Sequence, residues 1–97
     1  MPGDMNLARL DLVSMRLAVL CAELGSLSAA ARRAHCSLST GSYRLTALED
    51  TFGTRLFTRD HCGLQLTPAG ARFVDHARAI LQQVELMKAL LPGPQQA

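Results

Sequence analysis

The sequence of 97 residues has no long apolar run, no low-complexity segment and no recognisable secretory leader. No apolar run approaches the roughly 18–20 residues that a membrane-spanning helix needs, so we expect no membrane partner. The N-terminal segment MPGDMNLARL lacks the basic stretch and apolar core of a signal peptide, so we expect a cytoplasmic protein. Because 48% of the residues are apolar, we expect one small globular domain rather than a disordered chain.

Cysteine is scarce, and its spacing fits neither a disulfide framework nor a metal site. Cys21, Cys36 and Cys62 form an odd set without a CxxC or HxxxH motif. We therefore expect reduced thiols and no bound metal. Two interpretations of Cys62 stay open, a redox-sensitive loop thiol and a tolerated surface thiol, and the second is favoured.

The three histidines and eight acidic residues form no triad, metal or phosphate-loop pattern, and the chain is too short for a pocket-sized core. We therefore expect no enzyme activity and no cofactor. We expect His35 in a turn or at the core edge and His76 on the wet side of a long helix. His61 is either exposed or within reach of a nucleic-acid phosphate.

The net charge of +2 conceals a basic central segment. Residues 26–59 hold five arginines against two acids, whereas residues 1–25 sum to −1 and residues 60–97 to zero. Such a stripe is typical of phosphate contact, although a solvated arginine face is a common alternative.

A first amphipathic helix is predicted from Leu10 to Gly25, because apolar residues recur there at spacings of three and four. Its predicted buried face is Leu12, Met15, Val19 and Ala22. The glycine ends the helix because it tolerates the left-handed conformation of a C-cap.

Two more helices follow in close succession. Ser28 is predicted to cap a second helix of about two turns, which stops near His35. A third helix is predicted to be capped by Ser37 or Ser39 and to end at Gly53. Helix, short turn and helix make up the helix-turn-helix unit, whose second helix presents its N-terminal residues to base edges in a major groove.

Hydroxyl side chains crowd the start of the third helix. They are Ser37, Ser39, Thr40 and Ser42. Short polar groups let a helix terminus approach closely and donate to phosphates and bases. The alternative is that they only cap a helix of an ordinary bundle, and without the downstream segment the two interpretations weigh equally.

The downstream segment favours DNA binding. Two short alternating runs, residues 55–58 and 64–67, flank a turn at residues 60–63 and predict a β-hairpin. A hairpin after a recognition helix is a wing, which would bring Arg55 and Arg59 to the DNA backbone or minor groove. The alternative is that either arginine is a surface residue paired with Asp60 or Glu49.

A long last helix is predicted to begin with Thr67 as N-cap and Pro68 in the first position, and to run to about Leu91. Apolar residues repeat along it with heptad spacing at Phe73, Ala77, Ile80, Val84, Met87 and Leu91. So small a domain cannot bury the whole seam, so we expect this helix to pair with its copy in a second chain. The alternative is that the seam packs only on the first helix, which leaves its far half wet.

With these elements in order, the sequence resembles the DNA-binding domain of LysR-type transcriptional regulators from about Leu10 to Leu91. The segments that carry the resemblance are LGSLSAAARRAHCSLSTGS, LTALEDTFGTRLFTR and LTPAG. The resemblance implies a winged helix-turn-helix, a linker helix through which two chains pair, and an effector-binding domain beyond it. This sequence ends where that second domain would begin, and both a piece of a longer protein and a single-domain protein remain open.

The resemblance also implies which residues read bases. Those positions are Leu38, Ser39, Ser42 and Tyr43, with Ser37 and Thr40 alongside. Leu38 stands where the family commonly has Gln, Gly41 where it has an apolar residue, Tyr43 where Arg is common, and Cys62 where the wing often has a basic residue. Leu38 can touch only a thymine methyl or no base group at all, which forgoes about 1–3 kcal/mol of discrimination by a bidentate contact. Gly41 is expected to cost about 1 kcal/mol in a helix and to leave a gap toward the second helix.

The predicted fold class is therefore mostly α, a winged helix-turn-helix with a three-helix core, a two-stranded wing and a long C-terminal dimerisation helix. The predicted domains are residues 1–67 for DNA binding, 68–91 for the linker helix and 92–97 for a hinge or tail. The predicted DNA-backbone contacts are Ser28, Arg32, Arg33, Arg44, Arg55, Arg59 and His61.

The predicted function is a sequence-specific, LysR-type transcriptional regulator that acts as a dimer, or a higher oligomer, on partly palindromic double-stranded DNA. It would be associated with the bacterial nucleoid. The alternative is a winged-helix interaction module with weakened or altered DNA reading, which pairs with itself or with a full-length relative.

Overall fold

The computed structural model describes residues 7–91 and 93, so residues 1–6 and most of the predicted tail lie outside the described residues. In chain order the elements are a 3-10 helix (Leu7–Arg9), α1 (Leu12–Leu24), α2 (Leu27–Arg33), α3 (Leu38–Phe52), β1 (Phe57–Asp60), β2 (Gly63–Leu66) and α4 (Pro68–Leu90). The first three α-helices form the core, the two strands form a wing, and α4 packs on α1. The predicted winged helix-turn-helix with a long C-terminal helix is confirmed.

Helix α1 lies where it was predicted, with Asp11 as N-cap and Gly25 as C-cap at φ 65°. The predicted burial of Leu12 is wrong, because this side chain is 44% exposed. Helix α1 is enclosed on two sides, by α2 and α3 and by α4, so burial follows a consecutive run rather than one stripe. This run is Leu17, Ala18, Val19, Leu20 and Cys21. Burial raises the pKa of the Cys21 thiol to about 11, which keeps it protonated and inert at neutral pH.

Helix α2 begins two residues earlier than predicted, because Ser26 rather than Ser28 is its N-cap. The Ser26 backbone is extended, and its Oγ accepts a hydrogen bond from the Ala29 amide at 3.1 Å. Ser28 is exposed inside the first turn, with its Oγ 3.2 Å from that of Ser26. The earlier start buries Leu27 in the core, and this apolar contact decides between two serines of equal capping ability.

The expected gap at Gly41 is absent. Gly41 is buried where α3 crosses α2, and a Cβ at this position would lie 3.2 Å from the Ala31 Cβ and 3.7 Å from Leu27 Cδ1. The methyl group of Ala31 therefore fills the space that a larger residue at position 41 would take. Glycine brings the two helices of the helix-turn-helix unit close together, and the sequence pattern could not reveal this approach.

The first wing strand lies two residues later than predicted, and the second lies one residue earlier. Phe57 pairs with Leu66 and Asp60 with Gly63, which leaves a two-residue turn. The predicted first strand began at Arg55, but Leu56 belongs to the core instead, with 1% of its surface exposed. At the other end, the Leu64 amide donates to the Gly25 carbonyl at 3.1 Å. This bond fastens the wing to the corner between α1 and α2.

Glu49 joins α3 to the start of the wing. Its Oε2 accepts hydrogen bonds from the amides of Leu56 at 2.9 Å and Phe57 at 3.2 Å. We expect Glu49→Ala to lower the free energy of unfolding by about 1.5–3 kcal/mol, because two amides next to buried side chains lose a charged acceptor. Urea denaturation measures the change. Glu49→Gln keeps a side-chain carbonyl acceptor and should lose less than half as much; equal losses would contradict this role.

Helix α4 begins as predicted, with Thr67 as N-cap and Pro68 in the first turn. Gly70 lies against the carbonyl of Leu56, and a Cβ there would overlap this backbone oxygen. Further along, Val74 and Ala77 pack with Met15 and Val19 of α1. Among the described residues, no helix has both the length and the hydropathy to cross a bilayer.

Candidate nucleic-acid interface

The N-terminus of α3 is exposed and held by a small hydroxyl network. Ser37, one of the two predicted candidates, is its N-cap, and its Oγ accepts a hydrogen bond from the Thr40 amide at 3.1 Å. The same hydroxyl donates to Thr40 Oγ1 at 3.0 Å and lies 3.3 Å from Ser39 Oγ. The four residues from Ala34 to Ser37 form the turn between α2 and α3. His35 lies in it as expected, with a positive φ of 60°.

The predicted base-reading residues surround this terminus. Ser37, Leu38, Ser39, Thr40 and Tyr43 are exposed, and Ser42 is half-buried. Leu38 is 54% exposed and Tyr43 is 69% exposed. Thr46 is exposed one turn beyond Ser42 and was not predicted. Its i, i+4 spacing from Ser42 is the signal that could have found it.

A shallow pocket of about 300 Å³ joins the starts of α2 and α3 to the wing. Its polar lining consists of Ser26, Ser28, Arg59 and Asp60, and Leu38 lies among its apolar residues. The hydroxyls and the guanidinium can donate hydrogen bonds to a phosphate oxygen. The Asp60 carboxylate accepts the Cys62 amide at 2.8 Å and would repel a phosphate at its end of the pocket, so a phosphate would bind on the Ser28 and Arg59 side. Arg32 and Arg33 are exposed in the last turn of α2.

Two of the predicted backbone contacts are already paired within the chain. Arg44 Nη1 lies 3.3 Å from Asp11 Oδ2 and 3.2 Å from Ser14 Oγ, so this side chain turns toward α1. Arg55 Nε lies 3.7 Å from Glu49 Oε1. The Arg55 side chain is nevertheless 71% exposed, and the wide separation leaves it able to contact a second partner.

The stability of the fold in acid depends on the Asp11 carboxylate, which lies where Arg44 of α3 contacts the start of α1. Burial raises its pKa, but hydrogen bonds from Ser14 and the charge of Arg44 outweigh burial and hold it below its ordinary 3.8. A depressed folded pKa stabilises the fold fully above the unfolded value, and this stability is lost as the pH falls through the folded pKa. We therefore expect Asp11→Asn to flatten the decline in unfolding free energy below pH 3.8, measured by urea denaturation at several pH values.

The control for this prediction is Asp75→Asn, at an exposed position of α4. It should retain the decline seen in the unaltered chain. An Asp11→Asn variant with the full decline would assign the acid sensitivity to other carboxyls.

The wing tip consists of His61 and Cys62, both exposed, and the Cys62 amide donates to Asp60 Oδ1 at 2.8 Å. His76 is exposed on α4, as expected. Within residues 7–91 and 93, His, Cys, Asp and Glu side chains form no cluster that could hold a metal ion.

The predicted heptad seam of α4 divides into two parts. Ala77 is 2% exposed and Phe73 is half-buried, so this part packs against α1 within the chain. Beyond it, Ile80 is 42%, Met87 54% and Leu91 61% exposed, while Val84 is half-buried. A groove of about 480 Å³, lined mainly by apolar residues, includes Ile80. Within the single chain, the seam therefore packs against α1 over its first half and is exposed over much of its far half, and pairing with a second chain stays a prediction.

Comparisons with known proteins agree with this geometry. A model described as "Bacterial regulatory helix-turn-helix protein, lysR family" matches residues 12–71. The HTH-type transcriptional regulator TfdS of Cupriavidus pinatubonensis is 46% identical over 68 residues, which cover 70% of this chain and 23% of the relative. The HTH-type transcriptional activator AllS of Klebsiella pneumoniae is 40% identical over 81 residues, covering 84% and 30%. The chain thus spans less than a third of these curated relatives.

Among solved structures, the complex of the CbnR DNA-binding domain with DNA aligns with a TM-score of 0.77 at 33% identity. The alignment covers 81% of this chain and 91% of that chain. The resemblance stated from the sequence is confirmed over more than half of the chain. The chain belongs to the LysR family of bacterial regulatory helix-turn-helix proteins, of which it carries the DNA-binding domain.

Proposed function

We propose that this chain is the DNA-binding part of a transcriptional regulator that binds specific duplex sites as a dimer in the bacterial cytoplasm. The observation that carries the proposal is the exposed start of α3, where the predicted base-reading residues stand beside the basic end of α2. Arg32, Arg33 and Arg59 supply attraction to phosphates, and Ser28 lies beside Arg59. These phosphate contacts would fix the register of α3 in the major groove, where Ser39, Ser42 and Tyr43 would lie against base edges.

Dimerisation is proposed from α4. Its exposed apolar residues Ile80, Met87 and Leu91 continue the groove at Phe73, so a second α4 has a continuous surface to cover. Two paired chains would direct their α3 helices to half-sites a whole number of helical turns apart, so we expect a partly palindromic site.

The test of DNA binding is a salt titration with the intergenic DNA next to the protein's own gene. We expect binding to weaken steeply as salt rises, because phosphate contacts release counterions. Arg59→Ala should weaken binding to every sequence about equally and reduce the slope of log affinity against log salt by about 0.9. Arg78→Ala is the control, since Arg78 pairs with Glu23 at 3.4 Å on the α1–α4 side.

A second candidate function is an interaction module whose recognition helix, α3, discriminates weakly between DNA sequences. The observation that favours it is Leu38, exposed at a position where the family commonly has a base-reading Gln. Competition with scrambled duplex discriminates the two functions. A regulator prefers the intergenic DNA, whereas a module that no longer discriminates between sequences binds both duplexes equally or neither.

A further inference from the structure

The exposed face of α3 lacks the side chains that read purines. Between Leu38 and Phe52, the helix contains no Lys, Asn or Gln. Its one arginine, Arg44, is turned toward Asp11 on α1. Bidentate recognition of guanine needs Arg or Lys, and that of adenine needs Asn or Gln. Direct reading of a purine in two hydrogen bonds is therefore unavailable to this helix.

Several hydroxyls at the start of α3 already have partners. Ser37 Oγ bonds both the amide and the hydroxyl of Thr40, and it lies 3.3 Å from Ser39 Oγ. Ser42 is half-buried. These groups can orient the helix against a phosphate, but they offer little discrimination between bases, because a hydroxyl can donate or accept.

Leu38 offers a different kind of contact. It occupies the first turn of α3, is 54% exposed, and shares its pocket with Ser28 and Arg59. A phosphate bound by these two neighbours would bring the adjacent base pair close to the leucine. The thymine 5-methyl is the apolar group that a major groove presents, and covering it with leucine removes apolar surface of both from water.

We infer that Leu38 is a specificity-determining residue that selects a thymine in each half-site by packing on its 5-methyl group. This inference rests on the proposed function and deepens it. Selection comes from apolar contact where related proteins use a long polar side chain. The preferred duplex therefore carries a thymine at the position facing the N-terminus of α3.

The experiment uses the 97-residue chain and duplexes selected by it from a random-sequence library. Each thymine of the selected site is replaced in turn by uracil, which differs only in lacking the 5-methyl group. We expect one replacement per half-site to weaken binding about fourfold, the effect of one buried methyl group. Leu38→Ala should lower this effect to less than twofold while leaving the circular dichroism spectrum unchanged, because the side chain lies outside the core.

The outcomes separate this inference from the proposed function. Specific binding that no uracil replacement weakens would overturn the inference and leave the regulator standing. A uracil effect of equal size in the Leu38→Ala variant would also overturn it, because another residue would then contact the methyl group. Failure to enrich any sequence over scrambled duplex would remove both the inference and the proposed function.

Discussion

Gly70→Ala should unfold this domain or leave it barely stable, with a loss of at least about 3 kcal/mol in the free energy of unfolding. A Cβ at position 70 would overlap the Leu56 carbonyl group, and the nearest side-chain atom is Leu66 Cδ2 at 3.0 Å. The obstacle is backbone, and this same carbonyl accepts the Thr67 amide at 3.0 Å, so it cannot turn aside without losing the start of α4. Thermal and urea unfolding followed by circular dichroism measure the loss.

Gly53→Ala is the matched control. Gly53 caps α3 at φ 64° and a Cβ there meets nothing within 4 Å. Its replacement costs only the strain of a left-handed residue, about 1–2 kcal/mol. If the two variants are equally stable, close packing of α4 against Leu56 does not limit position 70.

Ile80→Asp should convert the proposed dimer into a folded monomer. Ile80 is 42% exposed in the single chain, so the charge harms the fold little, but pairing of two α4 helices would bury it without a partner. An uncompensated buried charge costs about 3–5 kcal/mol, which raises the dissociation constant of the dimer more than about 100-fold. Sedimentation over a range of concentrations measures this change, and DNA affinity should fall with it. Val84→Asp, one turn further along the seam, should act in the same way.

The control is Gln82→Asp, an exposed polar position on the same helix. This variant should remain a dimer with unchanged affinity for DNA. An Ile80→Asp chain that still sediments as a dimer would show that the contact between chains lies elsewhere.

Much of the fold could be predicted from local signals in the sequence. The end of α3 and the start of α4 were predicted because Gly53 and Thr67 are strong caps and Pro68 fits only a first turn, whereas the start of α3 was left open between Ser37 and Ser39. Helix α2 was misplaced because Ser26 and Ser28 offer the same capping chemistry, and only burial of Leu27 distinguishes them. A local signal places the end of a helix correctly when only one nearby residue can supply the cap.

What the sequence could not supply were contacts between elements that are distant along the chain. The roles of Glu49, which binds two wing amides, and of Gly41, which lets α3 approach α2, depend on partners brought near only by folding. The exposure of the residues at the start of α3 could be anticipated better than these contacts, because a helix start needs no distant partner to be exposed. Thr46 was the exception, and it lies outside the first turn on which the motif is built.

The close seat of Gly70 on Leu56 has a mechanical consequence. Helix α4 leaves the helix-turn-helix domain without a flexible linker at its start, because Gly70 packs directly on Leu56. The rings of Phe52 and Phe73, whose centroids are 5.5 Å apart, stabilise the contact between α3 and α4 nearby. The helix-turn-helix domain and α4 therefore move as one rigid body. In a dimer, a change in the angle between the two α4 helices would directly change the distance between the two DNA-binding domains. The crossing angle of the two α4 helices, which lies far from the bases, would then determine which spacing of half-sites the dimer binds.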